Sequence, residues 1–284
     1  MTYPPTGVEC MAIDWSGALT GSAARIWVAT ARDGVLQSLH APGSRDAVHA
    51  LLLARRAVSE PAVVGLDFAF GLPSWYCTER GWNDVGHVWQ AATTEGETWL
   101  RECRPPFWGR PGRRRPHDVA LGVRAAESMF GGGMSPKSVF QVGGAGSVGT
   151  GSIRGMPMLA ALRASGWAVW PFDAASMHTL VEIWPRLFSG AVVKSSETAR
   201  AAWLDRHLPS LGPHLSSAMR QSEDAFDAGI SAIGMSRMSL QVTLAQPLDP
   251  RCAIEGAICA PPRAEWANGA PPPAFDAFSG QRRP

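Results

Sequence analysis

VECMAID, residues 8–14, is a short apolar run ending in an acid, and its place at the head of the next four segments decides the fold. Its β-favouring residues predict a strand. ARIWVATA (24–31) and GVLQSLH (34–40) predict two more, with Asp33–Gly34 between them as a strong hairpin turn. SRDAVHALLLARRAVSE (44–60) opens on Ser44 as a cap and carries leucine and alanine at helical spacing. AVVGLDFAFGLP (62–73) predicts a buried strand with a Gly-Leu-Pro stop. Three strands including an antiparallel hairpin, one helix, then a fourth strand depart from a plain alternating βαβ repeat, and predict an α/β fold with a mixed sheet.

Residues 75–150 read as a mainly helical and looped insertion. They hold Trp75, Trp82, Trp89, Trp99 and Trp108, a run of arginines and a glycine-rich loop. Trp75, Trp82 and Trp89 stand seven apart, which predicts one helix face turned inward. The regular pattern returns as a helix at MPMLAALRASG (156–166), with strands at WAVWPFD (167–173) and TLVEIWP (179–185). A helix at SSETARAAWLDRHL (195–208) and a longer one over about 214–235 come next, then a final strand, RCAIEGAICA (251–260). The expected organisation is one domain over 1–260, with 261–284 a loosely packed Pro/Gly-rich tail.

The formal net charge of +2 announces no nucleic-acid binder. The distribution says more, because Arg101, Arg104, Arg110, Arg113, Arg114, Arg115 and Arg124 share one stretch opposed only by Glu102 and Asp118. Such a run is either a solvated loop or an arm that tracks phosphates. Five cysteines without a CxxC pair argue for reduced thiols and against a disulfide framework or zinc ribbon. The start MTYPPTGVECM lacks a signal peptide's pattern, and no apolar stretch nears the ~20 residues of a membrane span. A cytosolic protein without membrane contact is expected.

Asp14 and Asp67 each follow a buried apolar run and precede a turn-forming glycine. Either one alone reads as a turn residue or a cap. If their strands are parallel neighbours, their ends lie ~4.8 Å apart. Carboxylates that close repel unless a cation sits between them, and Mg2+ (or Mn2+), a hard ion, suits oxygen donors. Asp224 and Asp227, three apart in SEDAFDAGISAIGM (222–235), share a helix face, opposite an apolar face of Ala225, Phe226, Ile230 and Ile233. By itself this is an ordinary solvated face. Glu182, in LVEIWP, is a further candidate because a carboxylate within an apolar strand is costly without a partner. The bland alternative is a strand-end glutamate facing water.

AIDWSG, GLDFAFGLP, VEIWPRL, SEDAFDAGISA and IEGAI, in that order over residues 11–260, carry a resemblance. The chain resembles the predicted ribonuclease-H-like nucleases of the domain of unknown function 429 family. The resemblance implies a ribonuclease-H-like mixed β-sheet flanked by helices, and an acidic site at Asp14, Asp67, Glu182 and Asp224 or Asp227. It supplies no demonstrated substrate. The reaction to expect is phosphodiester hydrolysis with divalent ions, Asp14, Asp67, Asp224 and Asp227 as metal ligands and Glu182 completing the acidic set. Arg110, Arg113, Arg114 and Arg115 would neutralise phosphates of a nucleic acid, with exposed tryptophans stacking on its bases.

GAGSVG (144–149) offers a rival, because it fits GxGxxG after the apolar SVFQV, with Asp173 about where a ribose-binding acid would stand. Gly151, Gly155 and Pro157 place the helix start near Pro157, too late for a dinucleotide fingerprint. A loop near the active site that offers amides to phosphate, through Gly144 and Gly146, is the preferred reading. Two further alternatives are a phosphotransferase of the sugar-kinase or actin type, which needs two copies of such a fold, and a non-catalytic binding module.

Overall fold

A computed structural model describes residues 7–116, 122–130, 136–144, 146–245 and 248–260. The N-terminal residues 1–6, Asp118, Ala145 and the Pro/Gly-rich tail at 261–284 lie outside the described residues. The first strand, β1 (Glu9–Asp14), pairs antiparallel with β2 (Trp27–Arg32), which pairs antiparallel with β3 (Val35–His40). Asp33 and Gly34 both have positive φ, 50° and 79°, as a tight hairpin turn of the expected kind requires. Helix α1 (Arg45–Arg56) starts where the Ser44 side chain accepts the Ala47 N–H, and β4 (Ala62–Leu66) returns parallel to β1.

Helices α2 (Ser74–Glu79), α3 (Val85–Glu102) and the short α4 (Ala125–Ser128) follow, then α5 (Gly149–Ala164). Two strands come next, β5 (Ala168–Val169) and β6 (His178–Glu182). The chain continues through α6 (Arg186–Ser189), α7 (Glu197–His207), α8 (Pro213–Gln221), α9 (Glu223–Arg237), α10 (Leu240–Ala245) and α11 (Cys252–Glu255). The sheet order is β3-β2-β1-β4-β6-β5, with β1, β4, β6 and β5 mutually parallel. The architecture is α/β, a six-stranded mixed sheet with helices on both faces.

Alternation along the central strands sorts the core into two layers. Met11, Ile13, Val64, Leu66 and Leu180 meet residues of α1, α3 and α5 on one face. Ala12, Ala29, Ala31, Val63 and Val181 meet Phe226, Ile230 and Ile233 of α9 on the other. The small residues let α9 approach closely. At Gly65 a Cβ would stand 2.6 Å from Ile183 Cγ2 and 2.7 Å from the Met235 sulfur, so a larger residue there would have to push those side chains aside.

Four expectations need correcting. The helix expected over 214–235 is two helices, broken at Ser222, whose extended backbone lets its side chain cap α9 by accepting the Ala225 N–H at 3.1 Å. RCAIEGAICA forms the helical turn α11 and a single bridge from Ile258 to Glu182 instead of a strand. WAVWPFD shrinks to the two-residue β5. Trp75 lies in α2, Trp82 in the turn after it and Trp89 in α3, so they share no helix. They still pack together on one core cluster. All five cysteines are buried and free. Among the described residues, no helix is long and apolar enough to cross a membrane.

Candidate functional site

The parallel strands β1, β4 and β6 all end on one edge of the sheet, and their register fixes which acids meet. Ile13, Leu66 and Glu182 form one row across the sheet. Asp14 and Asp67 come one residue later, with the Asp67 N–H donating to the Ile13 carbonyl at 3.1 Å. Because successive side chains alternate faces, Asp14 turns away from Ile13 toward the α9 layer. There Asp227 of α9 is buried, and Lys194, on the loop before α7, donates to its Oδ2. Asp227 Oδ1 is buried with no hydrogen-bond partner among the described residues. Asp224, three residues earlier, is only half-buried and faces Arg25 as well as Lys194.

Burial, then the charges of Asp67, Asp227 and Asp224, hold the Asp14 carboxyl well above the usual carboxylate range. Asp67 is pushed up to about 7 by burial and by Asp227, against the pull of Lys194. Asp227 rises to about 6, chiefly by burial, with its Lys194 partner holding it down. Burial alone would lower the Lys194 ammonium, but Asp227 and the acids behind it keep it above its ordinary value. Lys194 is the functional candidate that sequence reading misses. A lone lysine in a polar loop carries no periodic signal.

Glu182 is engaged elsewhere, although its charge also raises Asp67. As a register partner of Leu66 it points to the opposite face, and it is 3% exposed, so it does not face water either. Both its oxygens accept from Arg124, and Oε2 also takes the Phe70 N–H at 2.9 Å. Glu127 binds the same guanidinium, and Arg124 Nη1 adds the Glu255 carbonyl at 2.8 Å. Glu255 in turn accepts the Ser74 and Ala125 N–H groups. Arg124 is therefore a buried structural cation and not a member of an exposed arginine arm. A buried ion pair is tolerable only when its hydrogen bonds are this complete.

A cleft of about 520 Å³ opens along the same edge. Of the acidic cluster only Asp67 lines it, while Glu182 and Arg124 form part of its wall. Arg110 lines it too, and so does Lys137, which the sequence did not single out. Arg113, Arg114 and Arg115 are exposed on the adjoining loop and do not line it. No tryptophan among the described residues is fully exposed; the buried Trp15, after β1, and the half-buried Trp184, after β6, both line the cleft.

Helix α5 begins at Gly149, directly after the glycine loop, and holds Pro157 inside it. The late start expected at Pro157 is thus incorrect, and with it the objection it raised to a dinucleotide fingerprint. Other features speak against that fingerprint. SVFQV makes one isolated bridge, Gln141 to Trp108, rather than a sheet strand. Asp173 is engaged by Arg163 and by the Val169 N–H. The glycines serve packing and turns. Gly144 and Gly146 have φ of 82° and 68°, and a Cβ on Gly149 would overlap the Val139 carbonyl. Ser147, Val148, Thr150 and Gly151 line the cleft, whereas Gly144 and Gly146, the expected phosphate-binding positions, do not.

The donor chemistry suits a hard divalent cation. Asp14, Asp67 and Asp227 face one lysine, and a buried carboxylate oxygen lacks a partner. The expected four-carboxylate shell is not assembled. Among the described residues no three His, Cys, Asp or Glu side chains are grouped to hold a metal, and Lys194 takes one oxygen of Asp227. The remaining fit is an ion on one or two carboxylates, completed by water and phosphate oxygens, as Mg2+ prefers. No family model, curated protein or solved structure matches this chain.

Proposed function

We propose that this chain is a divalent-metal-dependent phosphodiester hydrolase, a nuclease on a ribonuclease-H-like fold. The observation that carries the reading is the meeting of Asp14, Asp67 and Asp227 with Lys194 at the ends of adjacent parallel strands, beside a cleft with basic walls. The β1–β2–β3 meander, the helix after it and the return of β4 alongside β1 support the fold. Asp14 and Asp67 would hold Mg2+ or Mn2+, which when bound neutralises charge on the attacking and leaving oxygens. Lys194 favours the ionised form of Asp227 and holds it in place beside Asp14 and Asp67. Arg110 and Lys137 offset the charge of the substrate phosphate. In the reaction a water oxygen bonds to phosphorus as the P–O ester bond breaks. The water proton ends on the leaving oxygen, giving a phosphate monoester and an alcohol.

The test is hydrolysis of bis(p-nitrophenyl) phosphate with Mg2+ or Mn2+ and with EDTA. The expected result is metal-dependent turnover that Asp67→Asn lowers by at least about a hundred-fold, the scale of losing one group that acts on the reacting atoms. Turnover that survives EDTA, or an Asp67→Asn enzyme as fast as wild type, would sink the reading.

A further inference from the structure

The cleft wall carries cationic, acidic and aromatic groups. Its volume of about 520 Å³ is that of a pocket for one small ligand. Gly109 and Gly143 touch backbone to backbone, which brings Arg110 to the start of the glycine loop. Lys137 lies across that loop, its Cε 3.4 Å from where a Cβ on Gly146 would stand. Arg110 and Lys137 are both exposed, and among the described residues neither side chain has a hydrogen-bonding or ion-pair partner. Asp67, at the end of β4, also lines the cleft. Past β6 stands Trp184, half-buried and held by Phe130, whose ring lies 5.7 Å away at 70°. The wall thus carries two unpaired cations flanking the glycine loop, the Asp67 carboxylate after β4 and the Trp184 ring after β6.

We propose that the cleft binds one nucleotide unit, with its phosphate between Arg110 and Lys137 and its base against Trp184. This rests on the phosphodiesterase reading and names the substrate as single-stranded, since a base must leave its stack to lie on an aromatic wall. A nucleoside monophosphate is then the product left in the cleft. It contains no diester bond, so its binding is read whether or not the chain hydrolyses anything.

The experiment titrates AMP, inorganic phosphate and adenosine into the protein with Mg2+ present, by calorimetry. AMP is expected to saturate at one site. Arg110→Ser with Lys137→Ser should weaken AMP and phosphate by at least about ten-fold and leave adenosine unchanged. Trp184→Leu should weaken AMP and adenosine by about ten-fold and leave phosphate unchanged, while Trp184→Phe restores most of the loss. Circular dichroism on each variant separates lost binding from lost folding. AMP that fails to saturate at millimolar concentration overturns the proposal. So do variants that weaken phosphate and adenosine alike. If AMP binds as described while Asp67→Asn leaves hydrolysis intact, the subsite stands and the catalytic reading falls.

Discussion

Burial and the neighbouring Asp227 carboxylate bring Asp67 up to about 7, and Asp227 itself stands at about 6. Both lie above the ordinary aspartate value of 3.8. The folded protein therefore holds protons that the unfolded chain has released. A raised carboxylate contributes stability that is complete below about pH 4 and lost as pH rises through the folded values, here between about 4 and 7. Asp67→Asn removes part of that loss. In EDTA the variant should melt a few degrees above wild type at pH 8, and with no such advantage at pH 4. Equal shifts at both pH values in a melting series would show that Asp67 carries no strained charge. The sequence made Asp14 and Asp67 legible because each is an acid closing an apolar run. It could not place Glu182, whose partner Arg124 is 58 residues away, nor Lys194, which meets Asp227 across 33. Long-range pairing leaves no periodic trace in a chain.

At the level of elements, β1 to β4 were readable because each apolar run is bounded by a strong turn or cap. The later elements were not. A short apolar segment such as CAIE reads alike as strand or buried helical turn, and Glu255, by accepting from Ser74 and Ala125, fixes it as the latter. The start of α5 was hidden by its glycines, which serve close packing instead of breaking the helix. A Cβ on Gly17 would stand 2.5 Å from the Gly151 nitrogen and 2.6 Å from its Cα, so the loop after β1 and the first turn of α5 meet backbone to backbone. The reverse substitution is easy, because a Cβ on Gly151 meets nothing closer than Trp15 Cδ1 at 3.5 Å. Gly17→Ala should therefore cost about 1–3 kcal/mol, while Gly151→Ala should be neutral or gain up to ~1 kcal/mol. Urea unfolding midpoints at unchanged m-value check both. Equal costs for the two would mean that α5 does not seat on Gly17.

Over the whole molecule the charge nearly cancels, so attraction for a polyanion has to come from where the cations stand. Arg124 is sealed inside, and Arg101 and Arg104 are both drawn to Glu102. Arg154, in the cleft wall, is paired with Glu97, so Arg110, Lys137 and Arg25 stand exposed in the cleft, with Arg113, Arg114 and Arg115 exposed on the loop after Arg110. If the cleft takes one nucleotide unit, the three outer arginines have only neighbouring units of the same strand to meet. Each phosphate contact on a single strand contributes about 0.7 to the fall of log affinity with log salt. Changing Arg113, Arg114 and Arg115 together to Ser should flatten that slope by about two for a single-stranded oligonucleotide. The same variant should bind AMP as wild type does, because a mononucleotide never reaches the arm. Fluorescence anisotropy over a salt series, beside the AMP titration, reads both quantities. A slope unchanged by the triple substitution would make the arm a solvated loop and confine recognition to the cleft. A loss of AMP binding would mean instead that the outer arginines close over the cleft itself.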